Sequence, residues 1–371
     1  MLKRIYIDNF RCFVNFEYKP ERKQLLLGAN GSGKSSLLDA IQMVKAFVES
    51  GNSSPFQPPI TFKASKTRWL NQDLQVFIFV AEISGLQYEY RLEMDVSKQF
   101  LSASVFGEAL LVDHTLIAQN AEGNAVLCGA PKQSPRMQAS APSGSILSLF
   151  RSQSREIEVF LDWLSNDIFC LRINPLGMRK LGQVGTTAHP DRDISDIASW
   201  YNSVACADLD LVSRLQASLR EVFDGAASLQ SRPSPEPGSA EFGASLGNAG
   251  GKFPYSLDEL SDGQRCLIAL YMILHFLIEK GHTVFLDEPD NFLSLREIQP
   301  WLLQAEAAAD DSKGQLILIS HHPEILNQWA HEYGMRMFRV DGGPVQIEKY
   351  KTDYDDILRP AEVVARGWEN D

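Results

Sequence analysis

The sequence predicts an α/β protein with an antiparallel β subdomain at its N-terminus and a helical lobe inserted in its middle. Three observations predict it. The first hundred residues alternate as strands do, the run GANGSGKS stands between a short apolar strand and a helical pattern, and beyond residue 252 helices and apolar strands take turns. At 371 residues, 44% hydrophobic and 22% charged, the chain has an ordinary globular composition and enough length to bury a large core.

Taken in order, residues 2–10 alternate with Leu2, Ile5 and Ile7 apolar, and 12–18 resume after a turn. Residues 24–27 (QLLL) form an apolar run ending at Gly28, as expected of a strand buried on both faces. A helix is predicted from near Gly33, because Leu37, Ile41, Val44 and Val48 recur at helical spacing, with Gly51 able to stop it. Residues 74–83 and 88–94 read as a hairpin in which Tyr88, Tyr90, Leu92 and Met94 alternate with polar neighbours. Two stretches rich in Gly, Pro, Ser and Ala, 129–145 and 231–251, lack periodicity and apolar mass, and are expected to be mobile connections. Between them 146–225 is mainly helical, with segments near 154–166, 192–203 and 207–223, none of which sustains the heptads of a coiled-coil arm. A helix over 263–279, a strand 283–286, a helix 295–309 and a strand 315–320 follow. The expected organisation is a β and phosphate-loop lobe (1–128), a connection (129–145), a helical lobe (146–230), a linker (231–251), a lobe with the later motifs (252–350) and a tail (351–371).

Composition bounds the function. Thirty-five Lys and Arg against forty-seven Asp and Glu leave a net charge of −12, which argues against a protein that coats polyanions through clustered basic residues. A local basic groove stays open; it would be built from residues such as Arg172, Arg179 and Lys180, which read equally well as a solvated face. Five cysteines without a CxxC pair suit reduced thiols rather than a disulfide framework or zinc site. The start MLKRIYIDNF carries charge where a signal peptide needs an apolar run, and the longest apolar stretch, Cys266 to Ile278, is too short to span a bilayer. A soluble, cytoplasmic protein is expected.

The residues that carry chemistry begin with Gly28–Ser35, which fits GxxxxGK[ST] at every fixed position. Its glycines let backbone N–H groups turn toward phosphate oxygens at a helix N-terminus, Lys34 brings charge to the outer phosphates, and Ser35 offers a hydroxyl to Mg²⁺. Next is TVFLDEP, Thr283–Pro289. Its apolar run delivers Asp287 and Glu288 to the carboxyl end of a buried strand, where ligands collect in open α/β sheets. Asp287 is suited to hold Mg²⁺ and Glu288 to orient or deprotonate an attacking water. Alone, an acidic pair before proline is a common turn; the phosphate loop upstream reverses that reading. LSDGQ, Leu260–Gln264, enters an apolar helix, and by itself reads as an N-cap. Ser320–His321–His322–Pro323 follows a predicted strand, where a histidine is usually a loop residue.

In this order the four motifs resemble the head of ABC-type ATPases. IYIDNFRCF, GANGSGKSSLLDAI, LSDGQR, FLDEPDNFL and ISHHPEIL look like the SMC/RecF/OLD branch rather than a transporter subunit. The resemblance covers both ends of the chain, while 95–250 matches only in style. It implies a P-loop NTPase with a mixed central sheet, and Mg²⁺-dependent ATP hydrolysis with ATP and Mg²⁺ as cofactors. The nucleotide would be bound by Asn30, Gly31, Ser32, Gly33, Lys34, Ser35 and Ser36, with Arg11 approaching it. Ser261 and Gly263 of one protomer would complete the site of another, Ser35 and Asp287 would hold the metal, and Glu288 and the switch histidine His321 would be catalytic. Two departures stand out. Leu293-Ser294-Leu295 replaces the Leu-His-Pro usual in OLD-like relatives, and no glutamine is clearly the Q-loop residue, Gln72 and Gln119 both being candidates.

The chain has neither a hinge arm nor a zinc-hook CxxC. Fifty residues follow His321, too few for an appended nuclease domain, so Asp353, Asp355 and Asp356 read as a solvated tail. The resemblance therefore suggests an ATPase that forms a homodimer or higher homo-oligomer on ATP and controls a separately encoded effector, a nuclease or toxin, in bacterial anti-phage defence. No membrane partner is expected. The alternatives are a RecF-like DNA-repair ATPase that binds duplex DNA, and a nucleotide-sensing scaffold with little turnover.

Overall fold

The computed structural model of the protein describes residues 1–50, 61–97, 103–121, 123–128, 137–140, 144–185, 189–223, 228–248, 251–351 and 358–366. The chain divides into two compact units. The first comprises Met1–Glu21, Leu26–Ile168 and Met335–Tyr350, and the second Arg22–Leu25, Phe169–Gly334 and Lys351–Asp371.

Unit one is built on an eight-stranded sheet. Its chain begins with β1 (Leu2–Asp8) and β2 (Phe16–Tyr18), passes through β3 (Lys23–Leu27), and continues as β4 (Leu74–Ile83), β5 (Leu86–Asp95), β6 (Ser104–Val112), β7 (Thr115–Ala121), β8 (Asn124–Leu127) and β9 (Met137–Ser140). The sheet order is β2-β1-β4-β5-β6-β7-β8-β9, antiparallel throughout. The predicted hairpin is β4–β5, closed between Ile83 and Leu86 by Ser84 and Gly85, both at positive φ, the geometry that matches the twist of the strands. Alternation decides its faces: Tyr88, Tyr90, Leu92 and Met94 are buried, while Arg91 stands in solvent. Part of the expected connection 129–145 is strand β9; residues 129–136 and 141–143 lie outside the described residues.

Among the described residues this unit adds the α-helices α1 (Lys34–Ser50), α2 (Ile146–Phe150) and α3 (Arg155–Asn166). The apolar positions that predicted α1, namely Leu37, Ile41, Val44 and Val48, are all buried. Ser154 caps α3, which buries Ile157, Phe160, Leu161, Trp163 and Leu164 and sets Phe160 against Tyr88 and Tyr90 of the sheet. Lys45 of α1 closes the far end of α3 by donating to Ser165 O at 2.7 Å and Ile168 O at 2.9 Å.

Glu108 occupies an apolar slot of β6, on the face it shares with Leu110 and Val112. It is 2% exposed and accepts from Tyr90 Oη (2.9 Å), Ser145 Oγ (2.5 Å) and the Ile146 amide (2.8 Å), which fastens the start of α2 to the sheet. Burial pushes its carboxyl from 4.5 up to about 7, against the three donors, which act the other way. The folded chain therefore keeps a proton that the unfolded chain releases, and stability falls as pH rises from about 4.5 to about 7, a loss on the order of 3 kcal/mol. Glu108→Gln is expected to flatten this slope: between about pH 5 and about pH 8 the parent melting temperature should fall by several degrees more than the variant's. Parallel curves for the two proteins would refute the assignment.

Unit two carries β10 (Ile168–Leu171), β11 (Leu181–Gln183), α4 (Ile197–Ala207), α5 (Leu209–Val222), β12 (Ser228–Pro233), β13 (Ser239–Asn248), β14 (Gly251–Ser256), α6 (Asp262–Ile273), β15 (Thr283–Asp287), α7 (Leu295–Ser312), β16 (Gln315–Ile319) and α8 (Pro323–Tyr333). Its sheet runs β10-β15-β16-β3, with β15 and β16 parallel and buried along their whole length, as the unbroken apolar runs required. The strand β3 is shared: its first part belongs to unit two and Leu26 onward to unit one, where it is followed in sheet order by β17 (Gly334–Arg339) and β18 (Val345–Lys349), an antiparallel pair. A last helix, α9 (Pro360–Arg366), is tied to α8 by the Ala361 amide donating to Asn327 Oδ1 at 3.1 Å. The helix α6 continues past Ile273 as a π-helical turn, Leu274–Ile278.

One expectation is overturned. The stretch 231–251 is not a mobile linker in its described part: β12, β13 and β14 form an antiparallel sheet with β11. The small residues that suggested a linker serve close approach. A Cβ on Gly243 would lie 2.1 Å from Tyr255 O; in the neighbouring strand β11, outside that stretch, one on Gly182 would lie 2.3 Å from the Ser199 amide nitrogen of α4. Phe242 and Ala244 supply the buried face, with Tyr201 against Phe242 at 4.7 Å. The helical region 146–230 is divided at Ile168, with α2 and α3 in unit one and α4 and α5 in unit two. Among the described residues no helix is long and apolar enough to cross a membrane.

Candidate functional site

In unit one the buried strand β3 ends in the glycine loop, and α1 starts at Lys34. Gly28 and Gly33 sit at φ +143° and +107°, in the region that favours glycine. A Cβ on Gly28 would lie 2.1 Å from Met337 O, and one on Gly33 2.9 Å from Val345 Cγ2 and 3.2 Å from Cys12 Sγ. The β17–β18 pair and the turn after β1 thus pack directly on the loop and demand glycine there. Ala29, Asn30, Gly31 and Ser35 are exposed, whereas Ser32, Gly33 and Lys34 are buried. Lys34 folds over its own loop, Nζ donating to Gly28 O at 2.6 Å and Ala29 O at 3.1 Å, with Ser32 Oγ at 3.5 Å.

Arg11 stands at φ +50° in the turn after β1, pinned by its amide donating to Ser65 O at 2.6 Å. Its guanidinium donates to Ser36 Oγ (3.1 Å) and Asp39 Oδ2 (2.5 Å), so the cation is carried to the first turns of α1, next to Ser35. Burial pushes the neighbouring Cys12 thiol upward, and no disulfide joins the five cysteines. Of the two Q-loop candidates, Gln72 donates to Asp8 Oδ2 at 3.2 Å, and Gln119 lies in β7 opposite Ala109 and Val126.

In unit two Asp287 ends β15, 3% exposed. Glu288 follows at φ +49°, its amide donating to Ile319 O at 2.8 Å, a left-handed turn that lifts the carboxylate off the strand end. Asn291 Nδ2 donates to Glu288 Oε2 at 2.9 Å, and Arg172 Nη2 lies 3.8 Å from the same oxygen. Beside it, Ser320 Oγ donates to Asp290 Oδ1 at 2.6 Å and accepts from the His322 amide at 2.9 Å. His321 is exposed, while His322 is the N-cap of α8. His321 thus stands just past the carboxyl end of β16, where an open α/β sheet presents groups to ligands, while the ring of His322 is taken up by the Glu324 amide at 3.2 Å.

The LSDGQ run opens α6. Ser261 and Gln264 form a reciprocal capping box, the Gln264 amide donating to Ser261 Oγ at 3.2 Å and the Ser261 amide to Gln264 Oε1 at 3.0 Å. Ser261 is exposed and Gly263 partly so, and a Cβ on Gly263 would lie 3.0 Å from Phe292 O. Arg265 holds the first turn by donating to Pro175 O (2.8 Å) and Asp262 Oδ1 (2.9 Å), and burial pushes the Cys266 thiol up to about 12. Ser294, in the departure from Leu-His-Pro, caps α7 through a second such box with Glu297.

Sequence reasoning missed Asn291 and Arg172 as partners of Glu288. For Arg172 the only signal was charge, which had suggested nucleic acid. The three basic residues named for such a groove each stand beside a carboxylate: Arg172 by Glu288, Arg179 by Asp191 at 3.9 Å, and Lys180 by Asp258 at 3.0 Å and Glu241 at 3.7 Å. Asp353, Asp355 and Asp356 lie outside the described residues. Among the described residues no cluster of three or more His, Cys, Asp or Glu could hold a metal unaided. Mg²⁺ does not need one, since it takes one or two protein oxygens with phosphate and water; of the two groups expected to hold it, the Ser35 hydroxyl belongs to unit one and the Asp287 carboxylate to unit two.

Known proteins resemble the chain at this level. A family model described as "AAA ATPase domain" matches residues 1–112, and one described as "AAA domain, putative AbiEii toxin, Type IV TA system" matches residues 186–327. Among solved structures, an SMC head bound to the C-winged helix domain of ScpA superposes with a TM-score of 0.59 at 13% identity, over 94% of this chain and 98% of that one. The SMC head domain from Thermotoga maritima gives a TM-score of 0.49 at 15% identity, over 95% and 99%. No curated protein matches.

Proposed function

We propose that the chain, which has the fold of the SMC head, is an ABC-type ATPase head in which ATP joins two copies and hydrolysis releases them, and that the cycle controls a separately encoded effector in anti-phage defence. In this reading the backbone amides of Asn30 to Ser36 and the ammonium of Lys34 meet the phosphates. Ser35 and Asp287 would hold Mg²⁺, which supplies charge neutralisation at the transferred phosphoryl group. Glu288 takes a proton from the attacking water, His321 contacts the γ-phosphate, and Arg11 steadies the first turns of α1. Ser261 and Gly263 serve the phosphates of the second copy.

The observation that carries the reading is the start of α6. It is an exposed helix N-terminus whose cap is met by a local capping box and whose second helical residue is a glycine held against the Phe292 carbonyl. Such an end favours an anion brought from outside. Phe292 and Leu295, 52% exposed each, lie in the segment that passes Gly263 and opens α7, and give that surface apolar area to bury. The description of the model matched over 186–327, which names a putative toxin and a Type IV TA system, favours a toxin-linked effector, and the bound ScpA domain of the similar SMC head favours control of a partner protein. Because Arg172, Arg179 and Lys180 each face a carboxylate, a protein partner is favoured over duplex DNA.

The test is the dependence of ATP turnover on protein concentration, with assembly followed by sedimentation. If the chain is monomeric without nucleotide, the rate should rise more steeply than linearly and ATP should shift the mass toward a dimer. Strict proportionality in a proven monomer would overturn the shared site, and salt-sensitive DNA binding by the purified chain would restore the repair reading.

A further inference from the structure

The carboxylate of Glu288 is held from one side. Asn291 Nδ2 donates to Oε2 at 2.9 Å, and Arg172 Nη2 approaches the same Oε2 at 3.8 Å. With one hydrogen bond and the nearest cation both at Oε2, Oε1 is the oxygen left to accept a proton from water. The backbone is fixed as tightly: the Glu288 amide donates to Ile319 O, and the Asn291 amide donates to Glu288 O at 3.3 Å, so residues 288–291 form a closed turn with the carboxylate above it. Arg172 is also anchored. It follows the last residue of β10, the strand beside β15 in the sheet, and its amide donates to Arg192 O at 2.8 Å. Two adjacent strands thus deliver a guanidinium and a carboxylate to one place. Arg172 and Glu288 are 58% and 34% exposed at their side chains, so this pair adds little to stability. Its geometry calls for another reason.

We infer that Arg172 is a positioning residue for ATP hydrolysis, acting with Asn291 to fix the orientation of the Glu288 carboxylate. The inference rests on the reading of Glu288 as the group that activates water. As the water oxygen bonds to the γ-phosphorus, its proton passes to Oε1 while the bond to the bridging oxygen of ADP breaks. Asn291 sets the carboxylate's rotation through a short hydrogen bond. Arg172 contributes charge at longer range and keeps Oε2 engaged, so that Oε1 rather than Oε2 faces the water. A carboxylate free to turn would spend part of its time with the wrong oxygen presented, and small misplacements of a catalytic group cost rate more than affinity.

Steady-state ATPase kinetics of the full chain test this with Arg172→Ala, Arg172→Lys, Glu288→Gln and the Arg172→Ala/Glu288→Gln double variant. Arg172→Ala is expected to lower kcat about tenfold with KM for ATP within about twofold, and Arg172→Lys to recover most of the loss. In the Glu288→Gln background, Arg172→Ala should lower the residual rate no further, because its effect passes through the carboxylate. If Glu288→Gln stalls turnover but Arg172→Ala keeps the parent kcat, the positioning role is wrong and the reading of Glu288 stands. The role is also wrong if Arg172→Ala still slows the Glu288→Gln enzyme, or if the loss appears in KM alone. If Glu288→Gln itself turns over at the parent rate, the reading of Glu288 falls first.

Discussion

Glu288→Gln is expected to lower ATP turnover by roughly 10²- to 10³-fold while leaving ATP affinity within about threefold. The amide keeps the size of the side chain and can still accept from Asn291 Nδ2, so the turn from Glu288 to Asn291 should survive. What is lost is basicity at Oε1, where the water's proton would go. Binding should persist because the groups proposed to hold the phosphates, the glycine loop and Lys34, are untouched. Nucleotide trapped without hydrolysis should also prolong the joined state, so the same variant should sediment as a dimer with ATP under conditions where the parent cycles. Measuring bound nucleotide and released phosphate on one sample decides the matter. A parent-like rate would remove Glu288 from the chemistry, and loss of binding would make it a structural residue instead.

Gly28→Ala should have the largest effect on binding. The added methyl carbon would stand 2.1 Å from Met337 O, a backbone atom of β17 with no rotamer to escape by, and φ +143° strains any L side chain. Backbone strain of this sort costs about 1–3 kcal/mol before any steric displacement is counted. Relief requires the loop or β17 to move, and either movement opens the phosphate cradle. ATP affinity is expected to fall by at least about tenfold, with a lower melting temperature. Gly31→Ala is the control: its φ of +81° carries strain, but nothing lies within 4 Å of the added carbon, so its effect should be clearly smaller. Equal effects of the two would show that contact with β17 is irrelevant to the loop. Both titrations can be followed by nucleotide fluorescence and thermal melts.

The parts of the molecule legible in the sequence are those whose physics is local. The loop from Gly28 to Ser35 declared itself because phosphate chemistry needs glycine, lysine and a hydroxyl at fixed spacing between a strand and a helix. The parallel pair β15–β16 was visible because strands buried on both faces read as unbroken apolar runs. The sheet of β12, β13 and β14 was hidden for an equally physical reason. Composition treats Gly, Ser and Pro as signs of a mobile chain, yet at Gly243 the missing side chain is what lets two backbones meet. Glu108 could have been found, since alternation places it on the face of Leu110 and Val112, where a carboxylate must have partners. The link from Arg172 to Glu288 could not. It joins residues far apart in the chain through the neighbouring strands β10 and β15, and no spacing rule encodes that adjacency.

The caps of α5 and α6 differ in what they leave uncommitted. Asp and Ser stop a helix about equally well, because each supplies an oxygen that accepts an early amide proton. At α5 the residue is Asp208, which accepts from the Leu211 amide at 3.1 Å and leaves lone pairs and negative charge outward. At α6 it is Ser261, which accepts from the Gln264 amide and still owns a hydroxyl hydrogen that it can rotate outward and donate. The folding requirement is the same at both ends, so it cannot be what distinguishes them. An aspartate in place of Ser261 would cap the helix as well but add a second carboxylate beside Asp262, whose own charge is met by Arg265 at 2.9 Å, whereas serine closes the helix and adds no charge that would repel an anion.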